Sequence, residues 1–129
     1  MQNLTQPKVL LLYRRYSSSF TAYPAMLAAG GLIRTDVIAP TKHLVRHSVW
    51  VDAHYPADSD EDFLRAIELR LNTGEYTALW CIDEPSRELV FAAPSVDTWA
   101  KYLTLGSDQS LRSVAVDKNA FYDWCRARS

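Results

Sequence analysis

The sequence is short of glycine, cysteine and net charge, and each shortage excludes a class of protein. Four of its 129 residues are glycine, and it contains neither the GxGxxG fingerprint of a dinucleotide-binding domain nor the glycine-rich motif of a P-loop. Two cysteines, Cys81 and Cys125, are too few for the disulfide framework of a small secreted domain. A net charge of −1 provides no general attraction to nucleic acid or to an anionic membrane.

Long apolar stretches are also absent. No run approaches the ~20 residues of a membrane-spanning helix, and the N-terminus lacks the cleavage pattern of a signal peptide. We therefore expect a cytoplasmic protein that neither enters a membrane nor binds nucleic acid. A hydrophobic content of 48% is sufficient for one core at this length, which predicts one globular domain.

Four segments predict β-strands. KVLLLY and YTALWCI are apolar without alternation, which is typical of strands covered on both faces of a parallel sheet. LIRTDVIAP predicts a second strand that ends at Pro40, and WVDAHYP predicts a short third strand with Val49, Val51 and Ala53 on one side. The segment TKHLVRHS between them is either one helical turn or a loop.

Helices are predicted between and after these strands. The clearest is ADSDEDFLRAIELRLNTG, where Ser59 begins a near-capping box and acids fill the first turn. An earlier helix begins at Pro24, or begins near Phe20 and kinks at the proline. The sequence after the fourth strand predicts several short helices, of which Asp117 caps the last.

The order of these elements predicts an open, three-layer, Rossmann-like α/β domain with right-handed crossovers and a mainly parallel sheet of about four strands. In such sheets, ligands bind beside the loops at the carboxyl ends of the strands. Here those loops are YRRYSSS after the first strand and DEPS after the fourth.

The first of these loops is a candidate anion site. Arg14, Arg15 and Tyr16 precede the serines at positions 17–19, and guanidinium groups, hydroxyls and the N–H groups of a helix start together favour a phosphate or a carboxylate. Serines that only cap the helix, with solvated arginines, explain the pattern equally well.

The second loop carries a pair of carboxylates, Asp83 and Glu84. They could bind an amine, an ordered water or a metal, or they could cap the following helix. His43, His47 and His54 have no HExxH pattern or neighbouring cysteine, so we expect exposed polar histidines there and no metal site.

Several segments occur in an order that is more specific than any one of them. They are KVLLLY, a serine-bearing turn with a helix ending in AAGG, DVIAP, the helix DSDEDFLRAI, GEYTALWCIDEP and the tail SVAVDKNAFYDWCRARS. Together they resemble the pre-ATP-grasp domain that opens ATP-grasp enzymes. The sequence departs from that pattern at Thr77, where an aspartate often follows the tyrosine, and in its arginine-rich first loop, which has no glycine.

The resemblance implies a pre-ATP-grasp domain over residues 1–116 and, over 117–129, a helix that leads toward a following ATP-grasp domain. The implied reaction is an ATP-dependent ligation, in which a carboxylate is phosphorylated and then attacked by an amine or another nucleophile. ATP and Mg²⁺ would be bound mainly by the following domain, so this chain alone is expected to bind a small carboxylate substrate without catalysing a reaction.

The resemblance also assigns roles to residues on the strand-end loops. Lys118 is similar to the family lysine that reaches the nucleotide, although a solvated lysine in the first turn of the last helix explains it too. The residues that would contribute to the substrate pocket are Arg14, Ser17, Ser18, Asp83 and Glu84.

Two alternatives lie outside that family. The first is a free-standing ligand-binding or dimerisation module, whose exposed aromatic face of Trp99, Tyr102, Phe121 and Trp124 would be covered in a homodimer. The second is a signalling receiver domain, which requires acidic residues after the first strand to hold Mg²⁺. The arginines at that position have the wrong charge for a receiver domain.

Overall fold

The fold is built on a four-stranded parallel sheet, as the sequence predicts. The computed structural model describes residues 7–15, 23–29, 33–103 and 118–128. Its strands are β1 (Lys8–Leu12), β2 (Arg34–Ala39), β3 (Val51–Pro56) and β4 (Ala78–Cys81), in the order β3-β2-β1-β4. All three strand pairings are parallel, which confirms the predicted open α/β architecture.

β1 is the central strand, and its apolar sequence is explained by burial on both faces. Leu10 and Leu12 point to one face of the sheet, while Val9, Leu11 and Tyr13 point to the other. Because neither face meets water, the strand has no polar alternation. Each buried leucine contributes roughly 1.5–3 kcal/mol to folding.

Helices cover both faces of the sheet and complete three layers. The helices are α1 (Tyr23–Ala28), α2 (Asp60–Leu71), α3 (Glu84–Ala92), α4 (Val96–Trp99) and α5 (Lys118–Ala127), with 3-10 helices at Leu44–His47 and Ala100–Tyr102. Side chains of α2, α3 and α4 pack on the Leu10 face, and side chains of α1 and the first 3-10 helix pack on the Val9 face.

α2 forms as its sequence predicts. The Ser59 hydroxyl accepts a hydrogen bond from the backbone N–H of Asp62, which caps the helix. Phe63, Ile67 and Leu71 form its buried stripe. The turn after the helix contains Gly74 at φ +74°, a left-handed conformation that glycine adopts without steric cost.

The third strand begins later than expected. Val49 was predicted to share a strand face with Val51, but β3 begins at Val51, and Val49 and Trp50 lie in the preceding turn with large exposed fractions. Within the described sheet, β3 pairs only with β2. The register of this pairing shifts by one residue directly after Thr35, so one residue of β3 has no partner in β2. As an edge strand with partial burial, it needs less apolar sequence than β1, so hydropathy locates its start poorly.

Two other expectations about exposure are wrong. His43 was expected to be an exposed polar histidine but is completely buried, because the 3-10 helix after it folds against the sheet. Trp99, which the dimerisation alternative places on an exposed aromatic face, is 4% exposed within the core, and Tyr102 packs against the same core. The side chains of Phe121 and Trp124 lie outside the described part of the chain.

A buried ion pair lies on the Leu10 face of the sheet. The Asp36 carboxylate is completely buried; its Oδ2 accepts a hydrogen bond from the Tyr76 hydroxyl at 2.5 Å and lies 3.0 Å from the Lys8 ammonium nitrogen. Burial is the largest cause that raises the pKa of Tyr76, and the hydrogen bond to Asp36 adds to it. The three side chains thus join β1, β2 and the segment before β4.

Among the residues that the structure describes, no helix is long and apolar enough to cross a membrane.

Candidate functional site

The candidate site lies where the connections of the sheet change direction. From β1 the chain adds β2 and β3 on one side, and it then returns to place β4 on the other side of β1. The carboxyl ends of β1 and β4 are therefore neighbours whose following loops diverge, which is the position where open α/β sheets bind ligands. The loops that begin there contain Arg14 and Asp83.

Asp83 joins the two loops at this edge by hydrogen bonds to its buried carboxylate. Its carboxylate is 6% exposed, and its Oδ2 accepts hydrogen bonds from the backbone N–H groups of Arg14 at 2.9 Å and Arg15 at 3.0 Å. Its Oδ1 accepts a third from the backbone N–H of Ser86, which caps α3. Asp83 therefore positions the first loop, and its oxygens are occupied by the protein itself.

Arg14 carries its own counter-charge. Its Nε donates to Oδ1 of Asp60 at 2.7 Å, and its guanidinium lies 6.0 Å from the centre of the Phe63 ring. Asp60 is largely exposed at the first turn of α2, so the ion pair itself adds little stability. The ion pair holds the Arg14 side chain at the opening of the site and neutralises its charge.

A cavity of about 530 Å³ opens beside this ion pair. One stripe of α3 forms a wall, because Pro85, Glu88, Leu89 and Ala92 follow the i, i+3, i+4, i+7 spacing of a single helix face. The volume lies within the range of small-molecule sites, roughly 300–1,000 Å³. The other lining residues are Arg14, Arg15 and Asp60.

The cavity lining contains charges of both signs. Arg15 and Glu88 are exposed, and neither forms an ion pair with a residue in the described ranges. The Arg14–Asp60 pair is neutral as a unit. Among the described residues, the lining thus offers one cation and one anion that face solvent, next to an apolar wall.

The structure separates the predicted site residues into three groups. Arg14 lines the cavity, and Asp83 lies beneath it as a cap and a backbone anchor, which is the capping alternative considered for the DEPS loop. Glu84 is exposed in the first turn of α3 and is not one of the lining residues. The remaining predictions lie outside the described part of the chain: Ser17, Ser18 and the side chain of Lys118.

Two charged lining residues, Asp60 and Glu88, were not singled out from the sequence. Asp60 was assigned to the first turn of a helix, where an acid is expected for the helix dipole alone. Glu88 occurs three residues after Pro85 and four before Ala92, and this spacing is the signal that could have placed it on the same face as the apolar wall. Arg15 was noted in the first loop but was not selected as a binding residue.

A second cavity, of about 580 Å³, lies at the same edge between the ends of β2 and β3. Pro40, Thr41, Lys42 and Asp58 line it. Asp58 accepts hydrogen bonds from the backbone N–H of Thr41 at 2.9 Å and from its hydroxyl at 2.5 Å. These bonds lower the pKa of Asp58, so its carboxylate serves mainly to join the two loops.

Tyr13 and His43 form a buried contact below the Asp83 loop. Their ring centres are 4.8 Å apart, and Nδ1 of His43 accepts a hydrogen bond from the backbone N–H of Val45 at 3.0 Å. Burial lowers the pKa of His43 and raises the pKa of Tyr13. Both side chains are therefore neutral near pH 7 and support the strand ends without reaching the cavity.

Among the described residues, no three carboxylate, imidazole or thiol groups lie close enough together to hold a metal ion. The charged groups and the apolar helix face of the cavity can bind and orient a small polar molecule.

Comparison with models of known protein families gives no match to this chain, and comparison with curated proteins finds no relative.

Proposed function

We propose that this chain is the substrate-binding lobe of an ATP-grasp, ligase-like enzyme and that it binds a small carboxylate at the cavity between the β1 and β4 loops. ATP and Mg²⁺ belong to the ATP-grasp domain that would follow in the full-length enzyme, with Lys118 approaching the nucleotide. The isolated chain binds substrate without transferring a phosphoryl group, because that transfer needs metal ions and positioning groups together.

One observation supports the binding role above the others. Two consecutive arginines lie at the mouth of a cavity at the switch point of a parallel sheet, and a buried carboxylate fixes the backbone of both. Such a backbone is already ordered before the ligand arrives, so binding loses less loop entropy.

The two arginines have different parts in this proposal. Arg15 binds the substrate carboxylate, since its guanidinium has no ion-pair partner in the described ranges and can offer two parallel N–H donors. Arg14 borders the pocket and remains paired with Asp60. Asp83 is a positioning residue for both.

A chemical-shift titration tests the binding role. Butyrate added to the ¹⁵N-labelled chain should shift the backbone amide signals of Arg14, Arg15 and the α3 wall. Arg15→Gln should weaken binding several-fold, because an exposed charge pair contributes up to about 1 kcal/mol. Arg65→Gln is the matched control, since Arg65 is exposed on α2 and pairs with Glu61 and Asp62. Equal weakening by both variants, or shifts elsewhere only, would contradict the assignment.

The enzyme assignment has a separate test, the reading frame downstream of the codon for Ser129. A frame that continues into an ATP-grasp body supports the proposal and provides a full-length protein for assays of carboxylate-dependent ATP hydrolysis. A stop codon there, with no ATP-grasp gene beside it, would leave a free-standing ligand-binding or dimerisation module.

A further inference from the structure

The cavity at the β1 and β4 loops contains groups that a simple carboxylate would not use. Glu88 lies on the cavity wall, is exposed and has no ion-pair partner in the described ranges. A carboxylate ligand bound to Arg15 would leave Glu88 as a nearby like charge, which opposes binding. A ligand that carries a positive group as well would convert that repulsion into attraction.

The remaining charged residues of the lining, Arg14 and Asp60, are not available to bind the charged groups of such a ligand. Asp60 is already paired with Arg14 at 2.7 Å, so it neutralises a fixed arginine and adds no net field. Arg15 and Glu88 do not form a salt bridge with each other either. Each of the two can therefore engage a ligand group of opposite charge.

The apolar wall indicates that the ligand also has a hydrocarbon part. Pro85, Leu89 and Ala92 lie on the same face of α3 as Glu88, so a hydrocarbon segment can contact this face while the charged ends reach Arg15 and Glu88. Contact with this face removes apolar surface of the ligand from water, which favours binding by roughly 25 cal/mol for each Å² that is buried.

From these groups we infer that the ligand is a zwitterion, an amino acid or a related amino-carboxylate, with its carboxylate on Arg15, its ammonium on Glu88 and its hydrocarbon part on the α3 wall. The inference rests on the proposed function, because it specifies the class of carboxylate that the same cavity accepts. It assigns the ligand contact of α3 to Glu88, whereas the sequence directs attention to Glu84 at the start of that helix.

A matched set of four-carbon ligands tests this inference by chemical-shift titration at constant ionic strength. The probes are butyrate, butylamine, 2-aminobutyrate and 4-aminobutyrate, which differ in charge but share a similar hydrocarbon part. We expect at least one aminobutyrate to bind about threefold to tenfold more tightly than butyrate or butylamine, in keeping with ~1 kcal/mol for each exposed charge pair.

Two variants assign the charges to the two ends of the ligand. Glu88→Gln should reduce the affinity for the aminobutyrate to that for butyrate, and Arg15→Gln should reduce it to that for butylamine. Both side chains are exposed, so neither change should affect folding, which circular dichroism will verify. Glu68→Gln and Arg65→Gln, both on exposed positions of α2, are the matched controls and should leave all four affinities unchanged.

The outcomes separate this inference from the proposed function. If butyrate binds as tightly as both aminobutyrates and Glu88→Gln has no effect, the zwitterion inference is overturned while carboxylate binding stands. If butylamine binds as tightly as the aminobutyrates, both the zwitterion and the role of Arg15 are overturned. If no ligand shifts the amides of the cavity, both proposals are overturned.

Discussion

The carboxylate of Asp83 accepts a hydrogen bond from the backbone N–H of Arg14 across a sequence separation of 69 residues. The same oxygen also accepts from Arg15, and the other oxygen caps α3. One buried side chain thus joins the loop after the central strand to the helix after β4. The geometry of the cavity mouth depends on this contact more than on the arginine side chains themselves.

Asp83→Ala should lower the free energy of unfolding by about 2–4 kcal/mol, since it removes a helix cap and leaves buried N–H groups without an acceptor. Glu84→Ala, at the adjacent exposed position, should change it by less than about 0.5 kcal/mol. Urea denaturation measures both values. Similar losses for the two variants would contradict the role of Asp83 as the anchor of the loops.

The buried ion pair between Lys8 and Asp36 leads to a second prediction about stability. Lys8→Met should cost about 3 kcal/mol, because it leaves a completely buried carboxylate with the Tyr76 hydroxyl as its hydrogen-bond partner. Arg34→Met removes an ion pair with Asp52 in which both side chains are exposed, so it should cost less than about 1 kcal/mol. Thermal unfolding of the two variants under the same conditions measures how much stability is lost with each ion pair. A larger loss from Arg34→Met would contradict the prediction.

Acid should destabilise the fold in part through His43. Burial lowers its pKa below the usual 6.5, so the unfolded chain binds a proton more readily than the folded one. The stabilising contribution is therefore complete above about pH 6.5 and is lost as the pH falls through the folded pKa. His43→Asn retains an acceptor for the Val45 N–H and should flatten the decrease in stability as the pH falls below about 6.5.

The matched control for that measurement is His47, which is exposed in the 3-10 helix. His47→Asn should preserve the slope of unfolding free energy against pH. Equal slopes for the wild-type chain and His43→Asn would show that His43 does not supply the acid dependence.

The two cysteines should differ in reactivity. Burial raises the pKa of the Cys81 thiol to about 12, and the thiolate is the form that reacts. Both cysteines are partly exposed, so the raised pKa of Cys81 is what should distinguish them, and a disulfide reagent at pH 8 should modify Cys125 first and Cys81 only slowly. In Cys125→Ser the fast phase should disappear, and urea should restore fast modification of Cys81. A fast reaction of Cys81 in the folded variant would contradict the raised pKa of its thiol.

The sheet could be predicted from sequence because burial on two faces leaves a local signature. The runs 9–12 in β1 and 78–81 in β4 are apolar at every position, and α2 has both a cap and an apolar stripe, so hydropathy and capping identify them without tertiary information. Val49 shows where this reasoning fails. An edge strand is only partly buried, so its first residue is decided by pairing with β2 and not by its own hydrophobicity.

The sequence gives part of the geometry at this edge of the sheet. The positions of Arg14 and Asp83 at adjacent strand ends follow from the parallel arrangement, but the sequence does not reveal which atoms a carboxylate will contact. Asp83 acts on the backbone of the first loop, and that contact exists only after the two loops approach each other. Glu88 was missed because a single acid on an amphipathic helix has the same sequence pattern whether it faces bulk water or a cavity.

The strand order has a consequence for how the chain folds during synthesis. β1 precedes β2 and β4 in the chain, yet it lies between them in the sheet, so it gains its second neighbour only after the chain has been synthesised through Cys81. Until then Leu10 and Leu12 border an unpaired edge. Pairings between distant segments form slowly and expose such edges to other chains. Until β4 has been made, the nascent chain therefore needs protection from aggregation along β1.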